Sequence, residues 1–195
     1  MKNTPIPCIV RETCDGLTRY PIVDERLQRR EIYCAGDIDR DSAHAVMLQL
    51  LHLQQTDPEE EITLFINSPG GEVSSGLAIY DTMAAVTCPI RTVCVGLAAS
   101  MGALLFAAGA RRDILPHSRV MIHDPALSGG AGGSALALER TSKDLMKTRK
   151  TTAEILAKHT GRTLKEIYRK TAADTYFNAE EAVAFGLADR IIDKL

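Results

Sequence analysis

The sequence predicts an α/β fold in which a mainly parallel sheet is covered by helices. Segments with strand patterns alternate with helical segments in the order βαβα, which implies parallel strands joined by helical crossovers. Turns that contain glycine or polar residues follow the predicted strands, at the edge where such sheets usually bind ligands. The 195 residues, 45% of them hydrophobic, can bury one core, so we expect a single domain over residues 1–195.

The first half of the chain supplies a helix, a strand and a second helix. Acidic residues in Asp37–Asp41 predict the start of a helix that continues to about Gln55. A strand over Ile62–Ile66, a turn over Asn67–Gly71 and a helix over about Ser74–Val86 follow. The apolar stripe of the first helix comprises Val46, Met47, Leu50, Leu51 and Leu53.

The second half continues this alternation. Strands are predicted over Ile90–Val95 and Ser118–Ile122, with a helix of about Ser100–Gly109 between them. A glycine-rich segment, Ser128–Gly133, precedes a long helix over about Ser134–His159. Helix-start spacings predict two further helices, which begin at Thr163 with Glu166 and at Asn178 with Glu181.

Composition excludes several classes of function. A net charge of −2 gives no general attraction to nucleic acid or to an anionic membrane. The five cysteines form no Cys-x-x-Cys pair, and their odd number argues against a disulfide framework, which favours a reducing cytoplasm. The first residues also lack the apolar core of a signal peptide.

A membrane-spanning alternative rests on Val93–Ala110, an uncharged run long enough to cross a bilayer. Three glycines, one serine and six alanines make this run weakly apolar. It divides more naturally into a buried strand and a buried helix, so we predict no membrane association.

Ser100 lies among small residues in Gly96–Ala103, where a predicted strand gives way to a helix. A serine nucleophile needs a base and a backbone that an acyl group can approach, and small neighbours meet the second need. The following helix would direct amide groups toward developing negative charge. Such clusters are also common where a helix packs tightly on a sheet, and the run alone favours that interpretation.

His123 is the best candidate for the base. Among the five histidines it alone directly follows a predicted buried strand and precedes a proline-fixed turn, although a single histidine is more often structural. An acid that orients the imidazole would complete a triad. Asp174 is plausible from its loop setting, but spacing does not choose it over Asp124 or Asp113.

Six motifs follow one another along the chain: Asn67–Gly71, Tyr80–Met83, Ala98–Ala103, Pro116–His123, Glu181–Val183 and Gly186–Leu187. In this order they resemble the ClpP family, the proteolytic subunits of the Clp protease, from about Ile22 to Ile192. The resemblance implies the ClpP/crotonase-like fold, with repeated β-β-α units, a mainly parallel sheet and a protruding handle helix.

The resemblance also implies roles for individual residues. It identifies Ser100 as the nucleophile, His123 as the base and Asp174 as the acid, with the amides of Gly71 and Met101 as the oxyanion hole. Residues 1–21 correspond to an N-terminal axial segment, and residues 124–160 to a glycine-rich strand and the handle helix. The residues expected to align extended substrate are Gly70, Gly129, Gly130, Gly132 and Gly133.

Family members form seven-membered rings that stack in pairs around a chamber containing the active sites. An AAA+ unfoldase docks on the ring, consumes ATP and feeds in unfolded polypeptide. The resemblance therefore implies a homo-oligomer with an unfoldase partner, and this chain itself is expected to need no cofactor and no metal.

The chain departs from the family pattern at two surfaces. Where the unfoldase-docking pocket is usually aromatic, Thr63, Ala85 and Asp113 stand at the corresponding positions, whereas Phe65, Leu115 and Ile192 remain apolar. We expect weak docking, another partner, or dependence on a paralogous ring. Ala172-Ala173 also replaces an arginine of the usual inter-ring ion pair, so we expect weak or unusual pairing of rings.

Three functions remain open at this stage. The residues favour an active serine peptidase. A crotonase-like enzyme acting on coenzyme A thioesters would share the fold and the two-amide oxyanion device, and a non-catalytic ring subunit would keep the fold without the activity.

Overall fold

The computed structural model describes residues 7–14, 16–127, 129 and 132–195. Within these ranges the strands are β1 (Cys8–Thr13), β2 (Gly16–Pro21), β3 (Glu31–Ile38), β4 (Ile62–Gly71), β5 (Ile90–Ala99), β6 (Arg111–Ile114), β7 (Arg119–Ile122), β8 (Thr175–Phe177) and β9 (Arg190–Ile191). The helices are α1 (Ile22–Gln28), α2 (Arg40–Thr56), α3 (Val73–Ala85), α4 (Met101–Ala107), α5 (Ala135–Thr160), α6 (Leu164–Thr171) and α7 (Ala179–Phe185).

The predicted fold class is confirmed, because a mainly parallel sheet lies against the helices. Strands β3, β4, β5, β6 and β9 are neighbours in that order, and all of them run parallel. The first half of β5 pairs with β6, and its second half pairs with β7. Strand β8 adds to β7 in the antiparallel direction, while β1 and β2 form a separate hairpin.

The core lies between the sheet and helices α2, α3 and α4. Leu64 and Ile66 of β4 and Leu50 of α2 are completely buried. Leu51 was predicted to share the apolar stripe of α2, but it is 44% exposed. At 100° per residue, Leu50, Leu51 and Leu53 cannot all face the sheet, and the pair three residues apart occupies the core.

Strands β4 and β5 are longer than the sequence predicts. The polar and glycine-containing segments at their ends, which the sequence predicts to be turns, still pair with neighbouring strands. Ser68 lies opposite Ala98, and Gly71 lies opposite Ile38. Strands β6, β8 and β9 have only two to four residues, too few for a periodic pattern, and their partners are distant in sequence. Cross-strand pairing rather than local propensity creates these segments.

The run considered as a membrane span divides into the end of β5 and the helix α4. Throughout the part of the chain that is described, no helix has the length and apolar character needed to cross a bilayer.

The long helix α5 extends beyond the core, since it buries only Ala153 and Leu156. Among the described residues of the glycine-rich segment before it, none belongs to a strand. Gly129 and Gly133 have φ angles of 94° and 127°, which interrupt an extended backbone. Gly130 lies outside the described residues.

Arg30 is a buried cation that joins three segments of backbone. It is 5% exposed, and its guanidinium donates to the carbonyl of Leu53 at 3.1 Å and to those of Asp57 and Glu60 at 2.9 Å each. These bonds connect the end of α2 to the loop before β4. Its φ of 59° is a left-handed conformation that residues other than glycine rarely adopt.

We therefore predict that Arg30→Ala lowers the free energy of unfolding by about 3 kcal/mol, because it removes the hydrogen bonds of a buried guanidinium to the carbonyls of Leu53, Asp57 and Glu60. Urea denaturation at fixed protein concentration measures the loss. The matched control is Arg29→Ala, since that neighbouring side chain is 61% exposed and forms an ion pair with Glu25. Equal losses in the two variants would contradict the role assigned to Arg30.

Candidate active site

Strand register brings Ser100 and His123 to the same edge of the sheet. Ala99 of β5 lies opposite Met121 of β7, and the two strands are parallel. Ser100 directly follows β5, and His123 directly follows β7. Both side chains therefore lie at the carboxyl ends of neighbouring strands, where parallel sheets bind ligands.

The antiparallel strand β8 places Asp174 beside His123. Thr175, the first residue of β8, lies opposite Ile122, the last residue of β7. Consequently Asp174, the residue before β8, meets His123, the residue after β7. Nδ1 of His123 lies 3.0 Å from Oδ1 of Asp174.

The three side chains form a continuous hydrogen-bonded line. Nε2 of His123 lies 2.9 Å from Oγ of Ser100. An imidazole with its proton on Nδ1 therefore donates a hydrogen bond to Asp174 and accepts one from the hydroxyl of Ser100. The His123 side chain is 28% exposed and that of Asp174 is 61% exposed. This is the arrangement that a serine nucleophile, its base and an orienting acid require.

The other two acids considered from the sequence are engaged elsewhere. Asp113 is fully buried and accepts hydrogen bonds from Nε of Arg91 at 2.6 Å and from Nε of Arg190 at 2.7 Å. Burial would raise the pKa of Asp113, but the hydrogen bonds from the two arginines outweigh it and the pKa lies below its ordinary value. Asp124 bonds to Arg149 and Thr171 instead of to the histidine.

Ser100 occupies a strained turn between β5 and α4. Its φ of 53° and ψ of −119° are uncommon for any residue except glycine. Its N–H donates to the carbonyl of Met121 at 2.9 Å, which ties the turn to β7. A sharp strand-to-helix turn of this kind holds a nucleophilic hydroxyl away from the backbone on either side.

The small residues around Ser100 permit close packing as well as access. A β-carbon on Gly70, whose φ is 97°, would lie 2.6 Å from Cβ of Ser100 and 3.0 Å from the backbone nitrogen of Met101. Gly71 packs equally closely on the backbone of Ile38. Within the run, a β-carbon on Gly102 would lie 3.1 Å from the carbonyl oxygen of Ser68, so the packing interpretation is correct in part. The segments that carry the amides of Gly71 and Met101 adjoin the serine.

A narrow, mostly apolar cleft opens beside Ser100 and His123. Helix α5, which the sequence did not predict to contribute to the site, supplies Thr152 and Leu156. Their spacing of four residues places them on one helix face, and this spacing is the feature of the sequence that indicates a shared surface. The other lining residues are Val73, Met101, Leu104, Ile122 and Pro125.

The residues expected to form a docking surface lie mainly on the sheet face opposite the core. Phe65 stacks on Tyr33 with ring centroids 4.9 Å apart, and Thr63 lies two positions earlier on the same strand. Asp113 joins this face because Phe65, Val93 and Asp113 are in register across β4, β5 and β6. Leu115 and Ile192 directly follow the paired strands β6 and β9, whereas Ala85 is exposed at the end of α3.

Metal-ligating side chains do not gather anywhere in the described ranges, since no group of three or more His, Cys, Asp or Glu could hold an ion there.

Comparison with known protein families gives a match over nearly the whole chain. The family described as Clp protease matches residues 15–195. The match includes all three members of the hydrogen-bonded line and the cleft beside them.

We predict that Gly70→Ala slows the reaction of Ser100 with a fluorophosphonate by at least about tenfold, because the added carbon displaces the serine. Mass spectrometry of the labelled serine over time measures the rate. Gly36→Ala is the matched control, since Gly36 also has a positive φ of 78° but its β-carbon would meet nothing within 4 Å. Equal labelling rates in both variants would show that the close approach of Gly70 is unimportant.

Proposed function

The chain belongs to the Clp protease family, and on that premise we propose that it is a serine endopeptidase subunit that cleaves unfolded polypeptides. The observation that carries this proposal is the line from Oγ of Ser100 through His123 to Asp174, with hydrogen bonds of 2.9 and 3.0 Å. That geometry supports acyl transfer to a serine, as in other triads.

In the proposed reaction, His123 takes the proton of Ser100 as the hydroxyl oxygen attacks the peptide carbonyl. Asp174 stabilises the imidazolium that forms, and the amides of Gly71 and Met101 donate to the oxyanion. His123 then protonates the leaving amine as the peptide bond breaks, which leaves an acyl-enzyme. Water, deprotonated by His123, attacks the acyl group and releases the carboxylic acid product and Ser100.

The cleft supports a preference for apolar substrate side chains next to the scissile bond. Its wall is formed by aliphatic side chains such as Val73, Leu104 and Leu156. The hydroxyl of Thr152 is the polar exception, and it already donates to the carbonyl of Thr148 at 3.1 Å. A charged substrate group in this cleft would lose its water without gaining a partner.

We further propose that the chain acts as one domain within seven-membered rings that stack in pairs. The β1–β2 hairpin would belong to the axial segment, and α5 would be the handle between rings. Backbone hydrogen bonds would align extended substrate at Gly70, Gly129, Gly130, Gly132 and Gly133. An AAA+ unfoldase would supply substrate and consume ATP, so this chain would need no cofactor of its own. The proposed setting is the cytoplasm.

We predict that Ser100→Ala abolishes both fluorophosphonate labelling and hydrolysis of a fluorogenic peptide without changing the melting temperature. Asp174→Asn should lower kcat by about a thousandfold to ten-thousandfold, because the imidazole loses its orienting acid. Asp144→Asn is the control, since the Asp144 side chain is 72% exposed on α5. Hydrolysis that persists in Ser100→Ala would place the nucleophile elsewhere, and turnover of acyl-CoA without labelling would favour the crotonase-like alternative.

The charged sheet face supports weak docking of the usual unfoldase. Thr63, Ala85 and Asp113 stand at positions where aromatic side chains would provide buried apolar area, and Asp113 is hydrogen-bonded to Arg91 and Arg190. We predict that a ring made only of this chain forms no tight complex with the Clp unfoldase of its own host. Sedimentation of the mixture with ATP measures complex formation. A stable complex would refute weak docking, and a complex that forms only after a paralogous ring is added would support dependence on that ring.

Ring pairing should also be weak, because Ala172-Ala173 offers no side chain for an inter-ring ion pair. We predict that the mass of the purified assembly falls from fourteen to seven subunits as salt is raised. Native mass spectrometry or light scattering follows the change. A fourteen-subunit assembly that resists salt would count against this prediction.

A further inference from the structure

A second hydrogen-bonded cluster lies directly beside the proposed triad. We call it the Asp124 cluster, and it comprises Asp124, Arg149 and Thr171. One carboxylate oxygen of Asp124 accepts from the Thr171 hydroxyl at 2.6 Å, and the other accepts from Nε of Arg149 at 2.6 Å. The N–H of Asp124 also donates to the carbonyl of Thr171 at 2.7 Å. Both carboxylate oxygens of Asp124 are thus engaged away from the imidazole.

The cluster connects the segment that carries the base to the segment that carries the acid. Asp124 is bonded covalently to His123, and Thr171 is the last residue of α6, three positions before Asp174. Thr171 is only 3% exposed, so it is a fixed anchor. Asp174 itself is 61% exposed and is open to competition from water, so its alignment depends on restraint from neighbouring backbone.

Arg149 extends this restraint to the long helix α5. Its guanidinium lies over the ring of Tyr168 in α6 at 4.2 Å, and its side chain is only 26% exposed. Arg149, Thr152 and Leu156 share one face of α5, because they are three and four residues apart. The same helix face therefore lines the substrate cleft and holds Asp124.

We propose that Asp124, Arg149 and Thr171 are positioning residues for the reaction, which hold the segment that carries His123 against the segment that leads to Asp174. This inference rests on the proposed peptidase function. None of the three side chains touches the reacting atoms, and none exchanges a proton with substrate. They act by keeping the base and the acid within hydrogen-bond distance while the imidazole changes its charge.

Paired substitutions test the proposal. Thr171→Val removes the hydroxyl at nearly constant volume, whereas Thr171→Ser keeps it. Arg149→Ala removes the cation, and Lys150→Ala is its control, because Lys150 is the next residue of α5 and its side chain is 68% exposed. The measurements are kcat and KM for a fluorogenic peptide, the rate of fluorophosphonate labelling at Ser100, and the melting temperature.

We expect Thr171→Val and Arg149→Ala to lower kcat and the labelling rate by about tenfold to a hundredfold with KM little changed, as misplacement of catalytic groups does. Thr171→Ser should retain most of the activity, and Lys150→Ala should match the unsubstituted chain. Arg149 is partly exposed, so its variant gives a second result if Thr171→Val fails to fold.

Two outcomes overturn the proposal separately from the function. If the folded variants lose thermal stability but keep kcat and the labelling rate, the cluster is structural only. If Thr171→Ser loses as much activity as Thr171→Val, the hydroxyl contact is not what positions Asp124. A failure of the unsubstituted chain to label at Ser100 would instead overturn the proposed peptidase function, and this inference with it.

Discussion

The pairing of the short strand β7 with β5 on one side and with β8 on the other is the constraint on which the site depends. The parallel pair places Ser100 and His123 at one edge, and the antiparallel pair returns the chain so that Asp174 meets the histidine. A slip of one residue in either pair would turn side chains to the opposite face. The N–H of Ser100 donates to the carbonyl of Met121 and so holds the β5–β7 register where β5 ends. Just beyond β7, the N–H of Asp124 donates to the carbonyl of Thr171 at the end of α6.

The two faces of the sheet are stabilised in different ways. One face buries aliphatic side chains such as Leu64 and Ile66 against helices. The other carries charge, and Asp113 can be buried there only because arginines from β5 and β9 supply hydrogen bonds to both of its oxygens. A carboxylate committed to this network has no capacity left for catalysis, and its arginines give the outer face a polar character unlike that of an aromatic pocket.

Local pattern in the sequence predicts much of this architecture and part of the site. Alternating segments predict the parallel sheet, and Ser100 and His123 stand out because each follows a strand with a strong apolar pattern. The choice of Asp174 over Asp124 and Asp113 depends on the pairing of β8 with β7. Strand β8 has only three residues, too few for a hydrophobic period, and its partner strand lies about fifty residues earlier. Local pattern also fails to predict the exposure of Leu51 and the full length of β4 and β5. Helix packing determines the first, and strand pairing determines the second.

The order of the three side chains along the chain affects the protein before it is complete. His123 follows Ser100 by 23 residues, but Asp174 follows His123 by 51. A ribosome delivers the N-terminal part first, at about 5–20 residues per second, so the proposed nucleophile and base exist for roughly 3 to 10 seconds before the proposed acid is synthesised. Strand β8 cannot pair until it emerges, and the imidazole has no orienting partner until then. For the proposed peptidase, a nascent chain therefore lacks the orienting acid of its triad until β8 has been synthesised and can pair with β7.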